Sequence, residues 1–397
     1  MYNSTGDTME KKHAYGREIL KQLHAKGYEA YFVGGYVRDT LLKIETKDID
    51  ITTNATIEDT QTIFDKVIIT GEKFGTVTVL YGGYSFEVTT YRTEEQYSNN
   101  RHPDTVQFVR SLEKDLARRD FTINQLIMDV DGKVYDHFNG LDDLKAGVIR
   151  TINNPLDRFK EDALRMLRAF RFVGKTNFSI EAKTLKAISE LKHLVKELSI
   201  ERIQNEFERL FNHPYKQKAL KYIIETDFHI VIPYIKGIVT LSKITTDYDA
   251  LDAFTIIVLE HQEAMQYFKF SNKQKEAIRT RITLHKQTKT DSFLPEHLFM
   301  HKKDICLQVN HLNVLLGFGD QANHIEKLDK TLPLRRVQAL AFKGEDILKH
   351  IPLKRPAYIS LIIDHLLVQV LHKKVSNDYE ALKTEALTFV KDLEKSE

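Results

Sequence analysis

Three stretches of the chain carry residues whose types and spacing could do chemistry. In AYFVGGYVRD (30–39) two glycines follow an apolar run and precede a helical pattern. Glycines at a strand-to-helix turn let backbone N–H groups close on an anion, so Gly34 and Gly35 are candidates for holding a phosphate, with Arg38 adding charge. A tight turn needing glycine only for its geometry is the plain alternative. Within ten residues follows KDIDITT (47–53). Asp48 and Asp50, one residue apart on a predicted strand, project from the same face and repel each other. Such a pair calls for a cation. A hard divalent ion such as Mg²⁺ takes oxygen ligands and bridges to phosphates, as metal-dependent phosphoryl transfer requires. Glu87, in YSFEVTTYR (84–92), adds a third acid on a strand expected in the same sheet, a set suited to two metals. The third stretch is EDALRMLRAFRF (161–172), where Asp162, Arg165, Arg168 and Arg171 recur every three residues.

Positioning these groups needs a mixed fold followed by a helical one. Twelve of the 17 glycines fall in residues 1–150, where short β-branched runs alternate with turn signals. Strands are predicted at 30–33, 49–52, 67–70, 76–81, 85–91 and 106–109, and a hairpin joins 126–130 to 133–136 through Asp131 and Gly132. Helices are predicted at 9–26, 36–43 and 56–64, the last capped by Thr56. Beyond residue 150 the apolar residues recur at helical spacing, and Pro155 can start the helix that carries EDALRMLRAFRF. Further helices are predicted at 180–195, 200–212 and 215–226.

With 397 residues the chain is too long for one ordinary core, and length suggests roughly two to four domains. The 58 Lys and Arg nearly balance 56 Asp and Glu, so any polyanionic partner must be held by local patches. No apolar run reaches the roughly 18 residues of a membrane span. The lone Cys306 cannot form an internal disulfide, and together with an N-terminus unlike a signal peptide it points to the cytoplasm.

GGYVRD followed by DID resembles the nucleotidyltransferase superfamily that includes DNA polymerase β. The further motifs RRDFTIN (118–124), EDALR (161–165) with Arg168 and Arg171, and SIERIQNE (199–206) come in the order of the class II tRNA nucleotidyltransferases, the CCA-adding enzymes. The resemblance implies an α+β protein with a mixed-sheet catalytic head at 1–147, then an all-helical neck at 148–212, body at 213–300 and tRNA-gripping tail at 301–397. It implies that Asp48 and Asp50 hold catalytic Mg²⁺, that Gly34, Gly35 and Arg38 meet the triphosphate, and that Arg119, Asp162, Arg165, Arg168 and Arg171 meet the nucleotide. CTP, ATP and tRNA are the implied partners. A flexible head loop, here 92–104 with Arg101 and Asp104, is implied as the second input that separates C from A. Asn99 and His102 depart from the family pattern in that loop, as Tyr36 does beside the glycines.

The donor and acceptor pattern gives EDALRMLRAFRF a sharper reading. On one continuous helix, positions three apart form a ridge, and a parallel ridge of Leu164, Leu167 and Phe170 packs inward. A carboxylate accepts hydrogen bonds and a guanidinium donates them. Asp162 beside Arg165 therefore matches the amino donor and ring-nitrogen acceptor of cytosine and adenine, whereas uracil and guanine present the reverse. Each stretch also has a plainer reading. Arg118 and Arg119 can close a helix, Asn124 can cap one, and Ser199 with Arg202 and Glu206 can make a capped helix with an intrahelical ion pair. His297 and His301 have the spacing of metal ligands without a third. In the tail, Lys354 and Arg355 beside LAFKGEDILKH (340–350) suit phosphates or solvent equally. The rivals are a bacterial poly(A) polymerase, which shares the head and neck motifs, and an inactive nucleotide- or RNA-binding relative.

Overall fold

A computed structural model describes residues 4–46, 48–98, 102–352, 355 and 358–395. The chain divides into two compact units, Met1–Lys243 with Ile256–Lys269, and Ile244–Thr255 with Phe270–Glu397.

The first unit opens with α1 (Ser4–Ala25), β1 (Ala30–Val33), α2 (Gly35–Leu41), β2 (Asp50–Thr53), α3 (Ile57–Ile63), β3 (Val67–Gly71), β4 (Thr76–Tyr81) and β5 (Tyr84–Thr90). Then come β6 (Arg92–Ser98), β7 (His102–Phe108), α4 (Leu112–Ala117), β8 (Ile127–Met128), β9 (Val134–Tyr135) and α5 (Gly140–Ala146). A seven-stranded mixed sheet runs in the order β3-β4-β5-β2-β1-β8-β9. Its centre is the acid-bearing strand: β2 pairs antiparallel with β1 and parallel with β5, which sets Asp50 opposite Glu87. Alternation does the sorting. Ile49 and Ile51 are buried while Asp50 turns the other way. Phe32, Phe86 and Val88 from the flanking strands, with Ile19, Leu20 and Leu23 of α1, complete the buried layer.

Two expectations change here. The segment read as a flexible loop is largely a β-ribbon, in which β6 pairs antiparallel with β7 from Arg92 opposite Phe108 to Ser98 opposite His102. Thr93 stands opposite Gln107 and Glu94 opposite Val106 in it, a pairing that the charged residues of 92–104 disguised. Arg101 and Asn99 lie outside the described residues, and Asp104 falls within β7. The helix expected to carry EDALRMLRAFRF is two helices, α6 (Pro155–Glu161) and α7 (Leu164–Thr176), split at Asp162, whose φ of −143° and ψ of 103° are extended. A two-stranded parallel pair, β10 (Val148–Ile149) with β11 (Ser179–Ile180), flanks them, followed by α8 (Ala182–Leu191), α9 (Ile200–Phe211) and α10 (Lys216–Glu225). Leu164, Leu167 and Phe170 form the buried face of α7 as the spacing required.

The second unit is helical. Leu340, Phe342, Ile347, Ile362, Leu366, Leu382 and Ala386 form one core cluster, and Leu284, Phe293, Cys306, Val309 and Ile325 another. Burial pushes the Cys306 thiol up to about 12, so it packs as an inert apolar group. His297 accepts the Leu294 amide at 3.1 Å and so serves its own helix end. Lys354 lies outside the described residues. No described helix is long and apolar enough to cross a membrane.

Gly140 carries a steric constraint that bears on the site. A Cβ there would stand 2.2 Å from the Thr122 carbonyl oxygen, in the turn Thr122–Asn124 that belongs to RRDFTIN. Gly140→Ala should cost about 1 to 3 kcal/mol of unfolding free energy by overpacking. Gly319→Ala, with nothing within 4 Å of its added Cβ, should stay within about 0.5 kcal/mol of the parent. Equal denaturation midpoints for the two variants would contradict the packing argument.

Candidate functional site

An open cleft of about 1160 Å³ in the first unit gathers most of the residues singled out above. Gly34, Gly35, Arg38, Asp48, Asp50, Arg119, Asp162, Arg165, Arg168 and Arg171 all line it. Gly34 enters α2 at φ 70°, a left-handed conformation that suits glycine, and a Cβ would press to 3.1 Å from Arg119 Nη1. Its own N–H is spent on the Leu126 carbonyl at 3.2 Å. The amides that remain for an anion are those of the first turn of α2, from Gly35 on, which have no intrahelical acceptor.

Asp48 precedes β2 and is exposed, and Asp50 is half-buried at its first position. Burial, then the Glu87 carboxylate beside it and Asp48, push Asp50 up to about 6, against the opposing charges of Arg119 and Lys12. That is the signature of a carboxylate short of positive charge. Glu87, however, points to solvent on the neighbouring strand, and no group of three potential ligands is assembled among the described residues. The expected three-acid cage is therefore two cleft carboxylates with a third acid alongside. Such a donor set still fits a hard divalent cation that draws its remaining oxygen ligands from water and substrate phosphates.

Arg38 is buried and held at its guanidinium. Its Nε and Nη2 donate to Asp39 Oδ1 at 2.9 and 2.7 Å, Nη1 donates to Asn124 Oδ1, and the Phe172 ring lies 4.8 Å away. Asp39 Oδ2 accepts Lys175 Nζ at 2.5 Å. Asn124 Nδ2 donates to Asp120 Oδ1 at 2.9 Å, and Asp120 Oδ2 accepts Arg168 Nε at 2.6 Å. Because Lys175 and Arg168 both sit on α7, these bonds close a ring through the glycine motif, RRDFTIN and EDALRMLRAFRF. Asn124 is thus a link in that ring, not a cap. Although burial opposes it, the Arg168 charge with the Asn124 amide holds Asp120 well below the carboxylate range. Arg118 and Arg119 close α4 as a helix-end reading requires, and both pair with Asp115 there, at 2.8 and 3.2 Å.

The ridge reading of EDALRMLRAFRF needs correction. With the helix broken at Asp162, the three arginines alone share α7. Arg165 Nη1 meets Glu161 Oε2 at 2.7 Å and the Arg158 carbonyl at 3.0 Å, and its Nη2 donates to the Arg118 carbonyl at 3.0 Å. Asp162 instead takes Arg202 Nη2 at 2.9 Å, and Arg171 pairs with Glu206 at 2.6 Å. Arg202 and Glu206 therefore reach across from α9 to α7, where helical spacing alone suggested a bond within α9. Ser199 stands at the N-cap without a capping hydrogen bond from its side chain. Arg158, whose Nη2 donates to the Arg119 carbonyl at 2.6 Å, and Lys175 were not signalled by any motif. The fact that Lys175 follows Arg168 by two helical turns was the available clue.

The sheet, the glycine turn and the paired cleft acids define a nucleotidyltransferase with a polymerase-β-like head. Sequence families agree: the Poly A polymerase head domain matches residues 30–150, the probable RNA and SrmB-binding site of polymerase A matches 177–238, and the putative tRNA nucleotidyltransferase domain 2 matches 243–386. A CCA-adding enzyme of Ligilactobacillus salivarius is 35% identical over 377 residues, 92% of this chain and 93% of its own. One from Bacillus cereus strain Q1 is 36% identical over 379 residues, 92% and 96% of the two chains. The crystal structure of the Bacillus stearothermophilus CCA-adding enzyme in complex with CTP is 30% identical, covers 96% of this chain and 98% of its own, and gives a TM-score of 0.86. The chain belongs to the CCA-adding enzyme family, and that membership implies use of a divalent metal.

The charges around the cleft set a pH dependence. His213, which also lines it, is pushed down to about 4 by burial and by Arg171, Lys175 and Arg38, and its Nε2 is buried without a partner among the described residues. A histidine whose folded pKa lies below its ordinary 6.5 is protonated first in the unfolded chain, so stability falls as pH drops from 6.5 toward 4. Asp115 and Asp120, both held below the carboxylate range, add a loss only below about pH 4. Asp50, raised to about 6, gains stability over the same range and offsets part of that loss, so urea unfolding of the parent and of His213→Gln is compared across pH: the variant should lack the His213 loss in the upper limb and keep the lower limb. An unchanged upper limb in that variant would contradict the assignment.

Proposed function

We propose that this chain adds C, C and A in turn to the 3′ end of tRNA from CTP and ATP, without a nucleic-acid template, and releases pyrophosphate. The observation that carries the reading is one cleft lined both by Asp48 and Asp50 and by Asp162 and Arg165. Full-length likeness to CCA-adding enzymes supports it.

In the reaction, the terminal 3′-hydroxyl oxygen forms the new bond to the α-phosphorus as the bond to pyrophosphate breaks, and the hydroxyl proton leaves to water. Asp48 and Asp50 would hold Mg²⁺, with Glu87 setting the charge of Asp50 from the next strand. When bound, the ion supplies positive charge at the triphosphate and at the attacking oxygen. Gly34 shapes the turn, the α2 amides from Gly35 on receive phosphate oxygens, and Arg119 adds charge beside Asp50. Arg38 braces the turn from beneath, since its guanidinium is already held by Asp39 and Asn124. Asp162 accepts the amino group of cytosine or adenine while Arg165 donates to the ring nitrogen. A carbonyl facing Asp162, as in uracil or guanine, costs about 1 to 3 kcal/mol for each mismatched polar group. Arg168 and Arg171 contribute positive potential behind that pair. The segment 92–104, to which Arg101 and Asp104 belong, would govern the change from C to A. The head at 1–147 and neck at 148–212 form the reaction site, and beyond the helical body at 213–300 the tail at 301–397 takes the tRNA, in the cytoplasm.

The match to Poly A polymerase descriptions in the head and at 177–238 favours one rival, a poly(A) polymerase. Product length decides. A tRNA lacking its CCA end, given CTP and ATP, should be extended by three nucleotides and no further. A ladder of adenylates would establish the rival, and no extension would establish an inactive relative. Asp48→Ala and Asp50→Ala should each lower turnover at least about a hundredfold, matching the several kcal/mol that a bound metal contributes, while leaving tRNA binding intact. Parental turnover in either variant would contradict the metal assignment.

A further inference from the structure

Asp162 lies in extended backbone between two helices, so helix geometry does not aim its side chain. External bonds do. Oδ1 accepts the Leu164 amide at 3.0 Å and Arg202 Nη2 at 3.2 Å, and Oδ2 accepts the same Arg202 nitrogen at 2.9 Å. An ionised carboxylate offers about four acceptor positions. These bonds occupy three of them, which leaves one on Oδ2.

Arg202 is itself firmly based. Ile203, Phe207 and Leu210 bury the other face of α9, and one turn on, Glu206 is joined to Arg171 of α7 at 2.6 Å. The polar edge of α9 therefore grips the reading segment at two points, one at Asp162 before α7 and one within it. Asp162 and Arg202 are each about one-fifth exposed, at 21% and 21%, and both line the cleft, so substrate can reach the pair.

We propose that Arg202 is a specificity-determining residue that acts through Asp162. By bonding both carboxylate oxygens it fixes the rotation of the Asp162 carboxylate, and it turns the remaining acceptor position toward the base. An amino hydrogen of cytosine or adenine satisfies that position, and a uracil or guanine carbonyl meets only negative charge. Without Arg202 the carboxylate can rotate away, and the remaining acceptor position no longer meets the base. The inference rests on the reading of Asp162 as the base acceptor. It assigns the discrimination to a pair built from two separate helical segments.

The test uses the full-length enzyme, tRNA lacking its CCA end, and CTP or UTP alone. For Arg202→Ala the ratio of kcat/KM for CTP to that for UTP should fall at least about tenfold. KM for CTP should rise more than kcat falls, and Arg202→Lys should restore part of the ratio. Asp162→Ala should lose the discrimination, and adding Arg202→Ala to it should change the ratio no further. A parental ratio in Arg202→Ala, with Asp162→Ala relaxed, overturns this inference and leaves the base reading standing. A parental ratio in Asp162→Ala overturns the base reading itself. Should Arg202→Ala fail to fold, Arg202→Lys and Arg202→Gln are measured against each other, and parental ratios in both overturn the inference.

Discussion

The structure of the site depends on a closed ring of charged hydrogen bonds, from Lys175 through Asp39, Arg38, Asn124 and Asp120 to Arg168 and back along α7. Arg38, Asp39, Asn124 and Asp120 are buried in it. Charges taken out of water cost several kcal/mol each unless paired, and a broken buried pair costs about 3 to 5 kcal/mol because its partner stays behind. The ring therefore tolerates few arrangements of its members. It fixes the glycine turn, the RRDFTIN turn and the helix of EDALRMLRAFRF to one another, which holds the cleft acids at one separation from Asp162 and Arg165.

Many of the arginines here are bonded to protein groups. Arg38, Arg158 and Arg171 brace protein groups, and their charge reaches the cleft as potential. Three guanidiniums, those of Arg38, Arg168 and Arg171, lie within 5.5 Å of the Phe172 ring centroid, so one aromatic ring organises the cationic floor. Asp50, left with acids beside it, is the complementary element, a site short of positive charge. A cleft with a cationic floor and an acidic rim suits a metal-bound triphosphate.

Much of this was legible in the residues. Alternation placed Ile49 and Ile51 inward and both aspartates outward, and the apolar ridge of Leu164, Leu167 and Phe170 followed from spacing alone. What escaped was the partner of each charge. Spacing shows which residues can share a face, and says nothing about what stands opposite. Arg202 and Glu206 satisfied the rule for an intrahelical pair and were drawn instead to Asp162 and Arg171 across the packed α7–α9 surface. The break at Asp162 was hidden for a similar reason. Its flanks are good helix formers, and the extended backbone of Asp162 with the Leu164 amide bonded back to its side chain makes the interruption. The β6–β7 ribbon was masked by its polar residues, because a two-stranded ribbon need not alternate apolar and polar side chains to pair its backbone.

The ring acts as one unit in setting α7 against β2. Lys175→Met and Asp120→Asn each cut one of its links between α7 and the head. The direct measurement is the single-turnover rate of CTP incorporation onto tRNA lacking its CCA end, at saturating CTP, for both variants and their combination. If the ring is cooperative, the double variant is no slower than the slower single one, with a coupling beyond about 0.5 kcal/mol. If the two losses simply multiply, the links are independent and the account is wrong.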